Sequence, residues 1–175
     1  SAPELLQMCD EMGLLFFNEV FDKYDGKAGI TDTTDFENFA YRNIRNFVKR
    51  DRNHPSVFLW SVGNEISDVQ TNENGGQWKL HNMVNYVRKF DPDRPVTLVN
   101  DAQDAAATRH FDYYDVHAWN YNRRYRLARK LEPEKSVVIS ESASTLSTRG
   151  FYELPLPEKK TDFTKSLQVS SYDLH

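Results

Sequence analysis

The sequence predicts an α/β fold built on a parallel sheet. Short apolar runs with strand character alternate with amphipathic helical stretches, which is the pattern of βα units. Each apolar run also ends on a polar or acidic residue, as strands do when their C-terminal ends meet at a common face. The 175 residues fit one domain of ordinary size, and 39% hydrophobic with 27% charged residues is a globular profile.

The elements follow in order. Ser1 and Glu4 stand in capping-box spacing, with Pro3 near the helix start, where its missing N–H costs least. Leu5, Leu6, Cys9 and Met12 recur at helical intervals and Gly13 closes the segment. Leu14-Leu15-Phe16-Phe17 is apolar at consecutive positions and runs into Asn18-Glu19, so it reads as a strand buried on both faces. Phe36, Phe39, Ala40, Ile44, Phe47 and Val48 mark an amphipathic helix. Val57 to Gly63 forms the next strand and ends in Asn64-Glu65. Leu80, Val84 and Val87 mark another helix, stopped by Asp91-Pro92-Asp93-Arg94-Pro95. Val96-Thr97-Leu98-Val99 leads into Asn100-Asp101, and Tyr113 to Trp119 leads into Asn120-Tyr121. Val137-Val138-Ile139-Ser140 leads into Glu141. Shorter helices are expected over 102–109 and 123–130, and 146–175 reads as a long loop. Right-handed crossovers make such a sheet parallel. Five strands do not close an eight-stranded barrel, so an open doubly wound sheet and an incomplete barrel both fit this pattern.

Composition excludes several classes. With 22 Lys and Arg against 26 Asp and Glu the net charge is −4, which argues against a general nucleic-acid binder or an anionic-membrane binder. No run of about 18 apolar residues is present. The single cysteine, Cys9, excludes an internal disulfide and a Cys-based zinc cluster, and reads as a small buried hydrophobe. No histidine has metal-ligand spacing, no Gly-rich phosphate loop follows a strand, and no cofactor or metal is expected. The opening residues lack the basic and apolar regions of a signal peptide, which leaves location open. The basic stretch 122–130 reads as a solvated helix face, and Trp60 and Trp78 as core.

Chemistry is expected at two strand ends. Glu65 and Glu141 are carboxylates at the C-terminal ends of strands, the face where α/β barrels keep their active sites. Two such carboxylates suit glycoside hydrolysis, one protonating the leaving oxygen and the other attacking the anomeric carbon. Taken singly, each glutamate also fits a helix-capping or ion-pairing role.

The stretch Arg50-Asp51-Arg52-Asn53-His54-Pro55-Ser56-Val57-Phe58-Leu59-Trp60-Ser61-Val62-Gly63-Asn64-Glu65 resembles the acid/base signature of glycoside hydrolase family 2, the β-galactosidases, β-glucuronidases and β-mannosidases. Asn18-Glu19-Val20-Phe21-Asp22 resembles that family's third barrel strand, Asp115 to Tyr121 its sixth and Ser140 to Ser144 its seventh. The resemblance implies an incomplete TIM barrel, about strands three to seven of eight, with residues 1–175 lying inside the catalytic domain of a larger enzyme. It implies Glu65 as general acid/base, Glu141 as nucleophile, and Asn64 as a contact to the sugar 2-hydroxyl. Tyr121 would hydrogen-bond near the nucleophile, and Glu19 and Asp22 would line the substrate site; Trp119 is expected to face the sugar from its own place at the C-terminal end of a strand. The implied reaction is retaining hydrolysis of terminal β-linked sugars, a β-galactoside first, with β-glucuronide and β-mannoside as alternatives. A non-catalytic open-sheet carbohydrate-binding or interaction module is the competing expectation; strand order distinguishes the two. The expected partners are a carbohydrate and the flanking domains of the parent enzyme, and the 175 residues alone are expected to be inactive.

Overall fold

The computed structural model describes residues 2–23, 36–102, 110–121 and 125–141. The elements are α1 (Pro3–Met12), β1 (Phe16–Glu19), α2 (Phe36–Asp51), β2 (Val57–Asn64), α3 (Ser67–Thr71), α4 (Gly76–Phe90), β3 (Val96–Asn100), a 3₁₀ turn (His110–Tyr113), β4 (His117–Asn120), α5 (Tyr125–Leu131) and β5 (Val137–Glu141). The five strands pair in the order β1-β2-β3-β4-β5, and every pairing is parallel. Sequential neighbours without a reversal are the arrangement of a (β/α)8 barrel, here incomplete, and they exclude the doubly wound sheet, whose order reverses at a switch point.

Helices cover one face of the sheet, and the main core lies between the two layers. Phe36, Ala40, Ile44 and Val48 place one buried side chain per turn along α2, and Leu80, Val84 and Val87 do the same along α4, joined by Met83. From the sheet, Trp60, Val62, Val96, Leu98 and Trp119 enter the same cluster. Burial of each such side chain contributes about 1.5–3 kcal/mol, so these two stripes hold the helices in register on the sheet. At the opposite end from the strand-terminal glutamates, Asp91 accepts the Trp60 indole N–H at 3.0 Å and the Arg94 guanidinium at 2.7 Å. Arg94 also reaches the carbonyls of Val57, Arg52 and His54. The Asp-Pro-Asp-Arg-Pro turn is thereby tied to the start of β2, and the Arg94 charge holds the Asp91 carboxyl below its usual range against the opposing effect of burial.

Several sequence expectations are corrected. Ala2 caps α1 and makes no side-chain cap bond, while Pro3 is at the helix start as expected and Ser1 lies outside the described residues. Strand β1 begins at Phe16, and Leu14 and Leu15 are 49% and 73% exposed, because the Gly13 turn (φ 68°) and two further residues are needed to leave the helix. Residues Tyr113 to Val116 are not strand; the 3₁₀ turn packs His110 and Phe111 inward, and β4 starts only at His117. Trp60 is core, whereas Trp78 on α4 is 53% exposed. Helix α3 carried too few apolar positions to be predicted. The expected helix over 102–109 falls mainly outside the described residues, as does the loop over 146–175. Helix α5 exposes Arg126, Arg129 and Lys130, a solvated face. Among the described residues no helix is long and apolar enough to cross a membrane.

Candidate active site

The strand ends are shaped by departures from regular pairing. The β2–β3 register shifts between Ser61 and Asn64, and the β4–β5 register shifts between Trp119 and Asn120. Such irregularities re-aim side chains, since each residue of slip moves a side chain to the other face of the sheet. Beyond β2, Glu65 takes a left-handed backbone (φ 52°), and beyond β4, Tyr121 does the same (φ 54°). Both conformations cost a non-glycine residue roughly 1–3 kcal/mol and persist only where surrounding bonds enforce them. Those bonds are matched: the Glu65 N–H donates to the Val99 carbonyl of β3 at 2.9 Å, and the Tyr121 N–H to the Glu141 carbonyl of β5 at 2.7 Å.

Asn120 joins the two glutamates. This residue is fully buried at the end of β4. Its Nδ2 lies 2.8 Å from Glu65 Oε1, 2.9 Å from Glu141 Oε1 and 3.0 Å from Asn64 Oδ1. Its Oδ1 accepts the Ser140 hydroxyl at 2.7 Å, while the carboxylate oxygens, which only accept, fix the Nδ2 side of the amide towards the glutamates. The two distances to one nitrogen cap the separation of those carboxylate oxygens at about 5.7 Å, close to the roughly 5–5.5 Å spacing of retaining glycosidases and short of the inverting range. Glu141 receives a second hydrogen bond at Oε2 from the Tyr121 hydroxyl.

The other expected residues divide. Asn64 is half-buried, donates from Nδ2 to Asp22 Oδ1 at 3.1 Å, and accepts from Asn120, so Asn64 and Asp22 both adjoin the pair. Glu19 accepts the Ser61 hydroxyl at 2.7 Å. Burial, reinforced by the charges of Asp22 and Glu141, pushes its carboxyl up to about 7, against the Ser61 hydrogen bond and the Lys23 charge. Trp119 is not in the site: it is 1% exposed and packs edge-on to Phe111 in the helix-side core, with ring centroids 6.0 Å apart. Strand parity is the reason, because Asn120 takes the inner face and its neighbour must take the outer one. His117, two residues earlier, faces the same way and meets Glu132 at 3.0 Å. Asn18 likewise points outward, donating to Asp51 of α2 at 2.9 Å.

Sequence reasoning missed four contributors. Asn120 carried a signal, since it occupies a strand end like Asn64 and Asn100, but nothing local showed that it bridges the glutamates. Ser61 and Ser140 sit inside apolar runs, where a small hydroxyl passes for a strand residue. Lys23 had no signal: its Nζ lies 3.3 Å from Glu65 Oε2, a contact made across 42 positions of chain. Among the described residues no cluster of three or more His, Cys, Asp or Glu side chains could hold a metal ion.

Residues 1–156 match the family described as glycosyl hydrolases family 2, TIM barrel domain. The chain is 32% identical over 186 residues to β-galactosidase BoGH2A of Bacteroides ovatus, an alignment that takes in 88% of this chain and 22% of that protein. It is 29% identical over 188 residues to the β-glucuronidase of Homo sapiens, covering 95% of this chain and 27% of the relative. Among solved structures, a glycosyl hydrolase family 2 member from Bacteroides cellulosilyticus superposes with a TM-score of 0.67 at 31% identity, over 80% of this chain and 18% of the other. A β-galacturonidase from Eisenbergiella tayi, at 20% identity and a TM-score of 0.68, shares the fold over 86% of this chain and 28% of its own. The chain thus spans about a fifth to a quarter of the length of these relatives. With the parallel sequential sheet and the domain match in agreement, the chain belongs to glycoside hydrolase family 2, as a segment of its TIM barrel domain.

Proposed function

We propose that this chain carries the acid/base and the nucleophile of a retaining β-glycosidase acting on terminal non-reducing β-linked sugars. The observation that carries the reading is the single amide nitrogen of Asn120, which lies within hydrogen-bond distance of both Glu65 and Glu141. Glu141 attacks the anomeric carbon while Glu65 protonates the departing oxygen, leaving a covalent glycosyl-enzyme. Glu65, then ionised, takes a proton from water, and that water releases the sugar from Glu141 with net retention. The Asn120 and Tyr121 donors hold Glu141 in line for attack and spread its charge. Asn64 is placed to meet the sugar 2-hydroxyl, with Glu19 and Asp22 beside it.

A neutral sugar, β-galactoside first, fits this site better than a β-glucuronide. The described residues set four carboxyl groups, of Glu19, Asp22, Glu65 and Glu141, against the one ammonium of Lys23, and a uronate would add a further negative charge. The relatives whose names specify β-galactosidase and β-glucuronidase mark these two substrates as the pair to compare. The 175 residues form about strands three to seven of the catalytic barrel of a longer enzyme, whose flanking domains are its structural partners, and are inactive by themselves.

The test is a panel of nitrophenyl β-glycosides on the full-length enzyme. Glu141→Gln is expected to abolish turnover. Glu65→Ala is expected to spare the first step on an activated aryl glycoside, with added azide restoring the second as a β-glycosyl azide. Full activity in either variant, or an azide product of inverted configuration, refutes the assignment.

A further inference from the structure

The loop after β1 brings an ammonium group against Glu65, and the double-displacement scheme above gives it no task. Lys23 Nζ lies 3.3 Å from Glu65 Oε2, 3.3 Å from the Asn64 carbonyl oxygen and 3.4 Å from Asp22 Oδ1. An ammonium has three N–H bonds, and these three acceptors take all of them. The Lys23 and Glu65 side chains are only 25% and 19% exposed, so the pair is screened less than one on the open surface. Asp22, by contrast, is 72% exposed, which makes Glu65 the better-protected partner.

The two oxygens of Glu65 therefore have donors of different kinds. Oε1 faces the neutral amide of Asn120 at 2.8 Å, and Oε2 faces the cation. An amide tolerates either protonation state of a carboxyl group, because a protonated group still offers an acceptor oxygen. An ammonium favours the ionised state alone. The other charges around Glu65 act the opposite way: Glu141 at the end of β5, Glu19 at the end of β1 and Asp22 beside Lys23 are all acidic. Lys23 is the cation that the described residues set against them.

Resting on the reading of Glu65 as acid/base, we propose that Lys23 is a positioning residue whose ammonium, set against Glu65 Oε2, weights the balance between the acid role of Glu65 in the first step and its base role in the second towards the base role. The two roles need opposite protonation states, so one lysine would set the balance between them.

Two substrates separate the roles in the full-length enzyme. A phenyl β-glycoside has a poor leaving group, so its kcat/KM depends on protonated Glu65 and falls on the alkaline side. A dinitrophenyl β-glycoside leaves without acid assistance, so its kcat depends on ionised Glu65 and falls on the acidic side. Lys23→Met keeps the length of the stem and removes the charge. Both limbs are expected to move to higher pH together, by about 0.5–1 unit, the size expected of a partly exposed ion pair. Lys23→Arg should return both limbs towards the parent profile, and Lys23→Gln should repeat the Met result with a polar side chain. Limbs that stay within about 0.2 unit of the parent, or a loss confined to KM, overturn the proposal. Turnover that depends on Glu141 with unmoved limbs would refute the lysine's role and leave the glycosidase reading intact. Absence of turnover on any glycoside by the parent enzyme would refute the glycosidase reading and the lysine's role with it.

Discussion

Replacing Asn120 with Ala removes the group that links the two glutamates and leaves the strand otherwise unchanged. The side chain donates towards Glu65 Oε1 at 2.8 Å and Glu141 Oε1 at 2.9 Å, and it is fully buried, so water does not readily take its place. A hydrogen bond to a charged group is worth about 1.5–3 kcal/mol, so losing both costs about 3–6 kcal/mol if the two add. At about 1.4 kcal/mol per factor of ten, kcat should fall by about 10²–10⁴, with a smaller change in KM because the loss concerns the two carboxyl groups proposed to react. Asn120→Asp is the sharper variant: it keeps the shape, removes both donors and sets a third carboxyl group between two others. Its activity should be lowest above neutral pH and recover in part at acidic pH, where one of the three is protonated. Ser140→Ala, which removes the donor to Asn120 Oδ1 and leaves Nδ2 on the two carboxyl groups, should cost less than either. The assay is kcat and KM of the full-length enzyme on a nitrophenyl glycoside across pH, with circular dichroism to confirm an unchanged fold. An Asn120→Ala enzyme within about threefold of the parent would refute the idea that this amide organises the site.

Two further outcomes test the surroundings. Burial raises the Glu19 carboxyl from its ordinary 4.5 to about 7. Below 4.5 it is protonated in both folded and unfolded chains; as pH rises from 4.5 through 7 the unfolded chain loses its proton first, so stability falls across that window. Glu19→Gln removes the penalty and should stabilise the protein by up to about 3 kcal/mol at pH 8.5 and by almost nothing near pH 4.5, read as the Tm difference from the parent at each pH. A difference independent of pH contradicts this account. At Gly76, an added Cβ would fall 2.2 Å from the carbonyl carbon and oxygen of Asp68 and 2.5 Å from the Val69 nitrogen, all backbone atoms. Gly76→Ala must push α3 away from α4, at a cost of about 1–3 kcal/mol, and a Tm equal to that of the parent would show that this contact yields freely.

Much of the architecture was legible because it follows from local chemistry. The buried stripes of α2 and α4 repeat at the helical period, and the strand runs stop at polar residues, so element type and order could be read directly. The errors arose where the local signal was ambiguous. Leu14 and Leu15 are as apolar as Phe16 and Phe17, and only the geometry of leaving α1 separates linker from strand. Tyr113 and Tyr114 have strand propensity, yet Tyr114 is buried beside the 3₁₀ turn and accepts the Asn100 amide at 3.0 Å. Trp119 is expected at the sugar because it stands at the C-terminal end of a strand, and parity sends it the other way.

The sequence alone therefore determined that helices and parallel strands alternate, and that Glu65 and Glu141 end two of those strands, because period and punctuation are properties of neighbouring residues. Tertiary structure decided which side chain at each strand end turns inward, that Asn120 joins glutamates 76 positions apart, and that Lys23 reaches Glu65. Those outcomes depend on register shifts, left-handed residues and contacts between distant strands, and one residue of slip exchanges the inner and outer faces of a sheet.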